Sequence, residues 1–241
     1  MSGPKLSVIV PAYDEEATIA AVVRRLREVP LVLEIIVVND ASKDGTAAIA
    51  DRLVAERLAD KVIHHETNRG KGAALRSGIG AASGDVIVVQ DADLEYDPGD
   101  LPRLLEPIRG GRADAVYGSR FQGGPRRVLF FWHSVGNRLL TLLSNMLTNL
   151  NLTDMETCYK LVRADLLKRL PLTSDRFGFE VEVTARLAQC GARIWELPIT
   201  YSGRTYAEGK KITWRDGLAA LFHIVRYNLF PPSGDWRKPR A

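Results

Sequence analysis

Short apolar runs, each stopping at a polar or glycine-rich loop, govern what this chain can fold into. Leu6–Val10, Leu33–Val38, Lys61–His65, Val86–Val89 and Ala113–Tyr117 read as strands, and amphipathic stretches separate them. Ile19, Val22, Val23 and Leu26 fall at i, i+3, i+4, i+7, and Leu101, Leu104, Leu105 and Ile108 repeat that helical spacing. Strands without a polar face must be covered on both sides, and alternation with helices joins them in parallel. The pattern predicts an α/β fold with a mostly parallel central sheet and helices on both faces.

The polar residues gather where the strands stop. Pro11-Ala12-Tyr13-Asp14-Glu15-Glu16 follows the first run, and Asn39-Asp40-Ala41-Ser42-Lys43-Asp44-Gly45 the second. Glu66 to Gly72 follows the third, the acidic stretch Asp91-Ala92-Asp93-Leu94-Glu95 the fourth, and Gly118-Ser119-Arg120 the fifth. Carboxyl ends of parallel strands share one edge of the sheet, the edge where open α/β sheets bind ligands. Residues 1–124 read as a binding half and 125–230 as an acceptor-side half of the same domain. The second half carries the apolar stripe Leu139, Leu140, Leu143, Met146, Leu147 and Leu150, a helix over Phe179–Gln189, a strand over Arg193–Ile199 and a helix from Thr213 to Phe230. That last amphipathic helix, taken alone, reads as core-facing, and 231–241 as a flexible tail.

Charge and cysteine content narrow the classes. The net charge is only +4, but Arg204, Lys210, Lys211, Arg215 and Arg226 crowd the C-terminal part and call for an anionic partner there. With 2 Cys, no CxxC and no His-rich spacing, neither a zinc site nor a disulfide framework is indicated. Cys158 and the four histidines read as structural. No apolar run reaches the roughly 18–20 residues of a membrane span, and no secretory signal opens the chain. The expected location is the cytoplasm, with peripheral membrane contact through Val128–Trp132 and the 213–230 helix.

The acidic stretch carries the chemistry. Asp91, Asp93 and Glu95 alternate just past a strand, where they repel unless something compensates them. Asp97 and Asp100 begin the next helix and read as turn and cap residues, but a closely spaced pair exceeds what a cap uses. Hard oxygen ligands suit a divalent cation such as Mg2+ or Mn2+, with Asp91, Asp93 and Glu95 as candidate ligands. An EF-hand is excluded because Tyr96 stands where its loop needs glycine. The stretch Asn68-Arg69-Gly70-Lys71-Gly72 offers backbone N–H groups, a helix N-terminus and the Lys71 cation to phosphate. It is neither GxGxxG nor a Walker loop, so a nucleoside diphosphate derivative bound through a metal fits better than a dinucleotide or an NTPase substrate.

Taken together, "SVIVPAYDEEATI", "IIVVNDASKDGT", "NRGKGAALRSGI", "VVQDADLEYDP", "YGSRF" and "TDMETCYKLVR" resemble the family 2 glycosyltransferases, in particular the polyprenyl-phosphate (dolichyl-phosphate) sugar synthases. The resemblance spans roughly residues 6 to 230. It implies a GT-A nucleotide-sugar-binding fold and an inverting sugar transfer. It also implies a nucleotide-sugar donor and a polyprenyl phosphate acceptor, with no nucleic-acid partner. By matching position it puts Pro11, Tyr13, Glu15 and Asp40 at the nucleoside, Asp91 and Asp93 at metal and diphosphate, and Arg120 near the sugar diphosphate. "RTYAEGK", Arg204 to Lys210, is similar to the family's R-x-x-G-x-S-K phosphate segment, departing from it at Ala207 and Gly209.

A phosphate acceptor needs no general base, because a monoester with a second pKa of about 6 is largely dianionic at neutral pH. It needs cations, and Arg204 and Lys210 are the candidates, with Arg138 read as a solvated helix position. Glu180 and Glu182 serve either as a base for a hydroxyl acceptor or as anchors for Lys and Arg side chains. The alternatives are a transferase acting on a soluble or glycan hydroxyl, and a non-catalytic phosphate-sensing module.

Overall fold

The computed structural model describes residues 4–31, 33–128, 130–176, 178–208 and 214–237. From the N terminus the chain runs through β1 (Leu6–Ala12), α1 (Ile19–Glu28), β2 (Leu33–Asn39), α2 (Thr46–Ala55), β3 (Lys61–His64), α3 (Lys71–Ala81), β4 (Val86–Val89) and α4 (Leu101–Arg109). It continues through β5 (Ala115–Ser119), α5 (Phe131–Thr148), β6 (Lys160–Arg163), α6 (Ala164–Leu167), α7 (Phe179–Gln189), β7 (Ile194–Pro198) and α8 (Trp214–Leu229).

The strands form one sheet in the order β3-β2-β1-β4-β6-β5-β7. Every pairing is parallel except those of β6, which runs antiparallel to β4 and β5. The chain crosses from β1 to β2 to β3 in one direction and returns from β3 to β4 in the other. Right-handed crossovers then put α3 on the opposite face from α1 and α2. All seven residues of β2 are buried, as a strand covered on both faces must be. Helix α1 buries Ile19, Val22, Val23 and Leu26, the predicted stripe, and ends at Val29, whose extended backbone (ψ 131°) is what the following Pro30 demands.

Strand β6 is the element the apolar pattern did not mark. It is four residues long, with Lys160 and Arg163 at its ends, too short and too charged to stand out. Its antiparallel course turns its N-terminal end toward the carboxyl ends of β4 and β5. The loop 149–159 that feeds it therefore enters at the ligand edge. Strand β5 runs two residues later than expected, because Gly118 and Ser119 still pair with Leu197 and Pro198 of β7.

Two further expectations need correction. Helix α8 is not merely core-facing. Ala220, Ile224 and Tyr227 point inward, but Leu218, Phe222, Val225 and Leu229 are exposed. Helix α5, packed beside it, likewise leaves Leu139, Leu142 and Met146 exposed, and buries Thr141 and Ser144. In the stretch read as a loose tail, Trp236 packs against the core, and its carbonyl accepts from Cys190 Sγ at 3.5 Å.

Candidate active site

Loops from β1, β2, β4 and β5 meet at the carboxyl edge, joined by the N-terminus of α3 and the segment 200–208. After β1, Asp14 takes a left-handed backbone (φ 52°), and its carboxylate accepts from Lys43 N at 2.7 Å, tying the first loop to the second. Glu15 N donates to Thr46 Oγ1 at 2.9 Å, and Glu15 Oε2 lies 3.7 Å from Arg204 Nη1. Pro11, near the end of β1, and Tyr13, in this loop, are both partly exposed.

Asp40, expected at a nucleoside, is only 3% exposed, and its carboxylate is engaged within the protein. Oδ1 pairs with His65 Nδ1 at 2.7 Å and accepts from Arg69 N at 2.9 Å, and Oδ2 accepts from Gly70 N at 2.7 Å. The His65 ring reaches on to Ser77 Oγ at 2.9 Å. Asp40 thus shapes the loop that delivers Lys71. Gly70 sits at φ 88°, and a Cβ there would collide with the Asp175 carbonyl oxygen, so only glycine fits the turn into α3.

Lys71, the first residue of α3, bridges two carboxylates: Asp91 Oδ1 at 2.8 Å and Glu180 Oε1 at 3.1 Å. Burial alone would lower its pKa, but the two carboxylates outweigh it and hold the ammonium above its ordinary value. Glu182, fully buried one turn-face away, accepts from Thr173 N, Thr173 Oγ1 and Ser174 N at 2.8 to 2.9 Å. Of the two α7 carboxylates, Glu180 serves the site and Glu182 holds the loop before the helix.

Asp93 accepts from Arg204 Nη2 at 3.0 Å and from Glu95 N at 3.1 Å. Burial, then the charges of Asp91 and Glu95, push its carboxyl up to about 7 despite Arg204. Glu95 is engaged on both oxygens, by Tyr201 OH at 2.6 Å and by Arg204 N at 2.8 Å. The three carboxylates therefore do not meet as a ready-made triad: among the described residues no group of three or more His, Cys, Asp or Glu side chains is arranged to hold a metal. Asp91 and Asp93 remain as a pair, and Glu95 anchors the Arg204 segment to it. The partners that answer the repulsion here are Lys71 and Arg204.

Arg120, just past β5, makes a bidentate pair with Asp154, Nε to Oδ2 and Nη2 to Oδ1, both at 2.7 Å. Nη2 also donates to Asn137 Oδ1 at 3.1 Å, and the guanidinium stacks 5.2 Å from the Tyr201 ring. Asp154 is fully buried, so this pair fixes the Arg120 fork rigidly. Asp97 caps its turn through Gly99 N at 2.9 Å, and Asp100 accepts from Thr200 N at 2.7 Å. Lys210 lies outside the described residues.

Sequence reasoning passed over Asp154, Asn137, Lys160 and Glu156. Three of them stand in or beside the quoted "TDMETCYKLVR", but nothing in one dimension pairs Asp154 with Arg120 across 34 residues. Burial and the neighbouring Glu180 push the Glu156 carboxyl up to about 7, against the attraction of Lys160 and Arg120. As a set, the edge offers fixed cations beside two carboxylates that repel each other, which suits an anionic ligand with a charged leaving group.

Comparison with known proteins agrees. Over 98% of its length the chain is 37% identical to the undecaprenyl-phosphate mannosyltransferase of Micrococcus luteus, covering 98% of that protein. It is 32% identical to the polyprenol monophosphomannose synthase of Mycolicibacterium smegmatis, over 92% of this chain and 86% of the relative. The fold is that of the Mycobacterium tuberculosis glucosyl-3-phosphoglycerate synthase, crystallised with Mn2+, UDP and glucosyl-3-phosphoglycerate, at TM-score 0.73 and 23% identity, covering 96% of this chain and 82% of that one. The sheet and its surrounding helices are thus of the GT-A type. The sequence profile of Glycosyl transferase family 2 matches residues 7–170, and the chain belongs to that family: it is a glycosyltransferase.

Proposed function

We propose that this enzyme transfers a hexose from a UDP- or GDP-linked donor, with inversion, to a polyprenyl phosphate at the cytoplasmic face of the membrane. The observation that carries this reading is the double ion pair of Lys71. It sets a cation against Asp91, where a donor diphosphate would lie. It also engages Glu180, the α7 carboxylate that a hydroxyl acceptor would need as a free base. A phosphate acceptor has no such need. The named relatives support the same acceptor class, since one is an undecaprenyl-phosphate mannosyltransferase and another a polyprenol monophosphomannose synthase.

A divalent cation fits the acid pair. Asp91 and Asp93 are hard oxygen donors, and Asp93 at about 7 marks a spot short of positive charge even with Arg204 beside it. Mg2+ or Mn2+ held by Asp91 and Asp93 would supply Lewis-acid stabilisation of the departing diphosphate. The protein's own groups do the rest. Lys71 faces the diphosphate side, and Arg120, locked by Asp154, presents a fork from the β5 side. Arg204 lies between the acid pair and the acceptor side, and Lys210 completes its basic segment. An acceptor phosphate oxygen forms the new bond to the anomeric carbon while the bond to the diphosphate breaks, and no proton has to move.

The acceptor's chain would remain in the bilayer while its phosphate reaches the edge. The exposed residues of α5 and α8 support this: Trp132 is 76% exposed, Phe131 69% and Phe222 62%, with Phe230 just past α8 at 73% and Val128 before α5 at 89%. So many large apolar side chains on two adjacent helices suit a peripheral membrane contact. No described helix is long and apolar enough to cross a membrane.

Radiolabelled GDP-mannose and UDP-glucose, each incubated with undecaprenyl phosphate in anionic vesicles and Mg2+ or Mn2+, test this reading. Label in the organic phase is expected, and label confined to water-soluble product would overturn it. Trp132→Ser combined with Phe222→Ser should weaken vesicle cosedimentation while leaving transfer to a short-chain soluble acceptor phosphate intact.

A further inference from the structure

Loop 149–159 reaches the ligand edge held at two points. At one, Asp154 grips Arg120 past the end of β5. At the other, Cys158 sits against the end of β4, its Sγ 3.5 Å from Val89 O and its N donating to Tyr96 OH at 3.0 Å. Glu156 lies midway along the chain between these anchors, close enough to Glu180, Lys160, Arg120 and Asp154 to feel their charges. It is half-buried.

Among the described residues, the cations near Glu156 make their hydrogen bonds to other groups. Lys160 Nζ donates to the carbonyls of Met155 and Thr157, at 2.7 and 2.5 Å, clamping the backbone on either side of Glu156. Arg120 holds Asp154 and Asn137, and Lys71 holds Asp91 and Glu180. Glu156 Oε1 is left buried with no hydrogen-bond partner among the described residues, and so is the hydroxyl of the adjacent, fully buried Thr157. A buried carboxylate oxygen without a donor is costly, and native structures keep such atoms where a ligand or water completes them.

A nucleotide sugar has three parts, and only one suits this oxygen. The diphosphate is itself an acceptor and would be repelled. On the transferase reading the nucleoside falls to the β1 and β2 loops, where Tyr13, Glu15 and Asp40 stand. The hexose brings hydroxyl donors, and on that reading it lies between the diphosphate beside Lys71 and the acceptor cations. It is therefore the part of the donor that can meet a carboxylate set among Arg120, Lys160 and Glu180. Resting on the transferase reading above, we infer that Glu156 is a donor-specificity residue: its carboxylate accepts a hydrogen bond from one hydroxyl of the transferred hexose. Such a bond also explains how an acid whose ionised form is disfavoured in the free protein becomes satisfied during turnover.

The test compares donors that lack one hydroxyl at a time. Wild-type enzyme is assayed first with GDP-mannose and UDP-glucose, which establishes transfer independently of Glu156. The 2-, 3-, 4- and 6-deoxy forms of the accepted donor are then compared in wild type, Glu156→Ala and Glu156→Gln. In wild type, removing the contacted hydroxyl should lower kcat/KM by about 10- to 100-fold, the value of a hydrogen bond to a charged group. In Glu156→Ala that penalty should vanish at one position only, while UDP or GDP binding by thermal shift stays unchanged. Glu156→Gln, which keeps one acceptor oxygen, should retain part of the discrimination. A deoxy profile of Glu156→Ala that parallels wild type at every position would overturn the inference and leave the transferase reading standing.

Discussion

Glu34 and Asp93 are both carboxylates withdrawn from water at an end of the same sheet, and the fold treats them in opposite ways. Glu34, near the start of β2, is 3% exposed and accepts from Ser7 Oγ, Ser83 N, Ser83 Oγ and Lys61 Nζ. Burial works against its charge, but those donors overcome it and hold the carboxyl down at about 2. Asp93, past the end of β4, faces Asp91 and Glu95 with Arg204 as its main relief, and stands at about 7. The amino edge of the sheet is electrostatically complete, and the carboxyl edge is left wanting positive charge. A carboxylate that the protein satisfies by itself contributes to stability, whereas one left short of partners marks where a ligand completes the structure.

Four experiments test that contrast. Asp93→Asn should lower turnover by about 10²- to 10³-fold, the range for loss of a preorganised electrostatic group, as measured by lipid-extractable product. Its melting temperature should stay level or rise, because a disfavoured charge has been removed. Glu34→Ala should do the reverse. Stranding the Ser7, Ser83 and Lys61 donors costs about 3 kcal/mol, or roughly 6–12 °C in melting temperature for a chain of this size, with turnover per folded molecule unchanged.

Melting as a function of pH is the third test, and its two halves have opposite signs. Asp93 titrates at about 7 in the folded protein and at 3.8 ordinarily, so between those values the folded state binds more protons than the unfolded one. Its contribution to stability is therefore lost as pH rises through that window, and Glu156, also raised to about 7, adds to the slope. Glu34 titrates at about 2 against an ordinary 4.5, so its contribution is lost as pH falls through that lower window. Asp93→Asn should flatten part of the upper slope, and Glu34→Gln the lower one, as read by calorimetric scans without ligand. The smallest effect belongs to Lys61→Met. Lys61 is 46% exposed, and Glu34 keeps its three serine-derived donors, so a cost of about 0–1 kcal/mol is expected by denaturant titration.

What the sequence discloses follows the same division. The strand ends, the acid pair, Lys71 and Arg120 were legible because period and position alone put them on one edge. The partners that decide what each does were not. Nothing local shows that Asp40 engages the Arg69 and Gly70 backbone, that Glu95 anchors the Arg204 segment, or that Asp154 locks Arg120. Strand β6 escaped notice because it is four residues long with a charge at each end, and with it went the placement of Glu156. Helical periodicity showed that α5 and α8 are amphipathic, but an apolar stripe reads the same whether it faces a core or open surface.

The most direct test of the uncompensated-edge account is a paired measurement on Asp93→Asn and Glu34→Ala: melting temperature without ligand, and transfer rate per folded molecule. A crossed result is expected, with Asp93→Asn folded as firmly as wild type yet nearly inactive, and Glu34→Ala active but melting several degrees lower. Should Asp93→Asn melt as low as Glu34→Ala, or transfer hexose at the wild-type rate, the carboxyl edge would be no more than another structural end of the sheet.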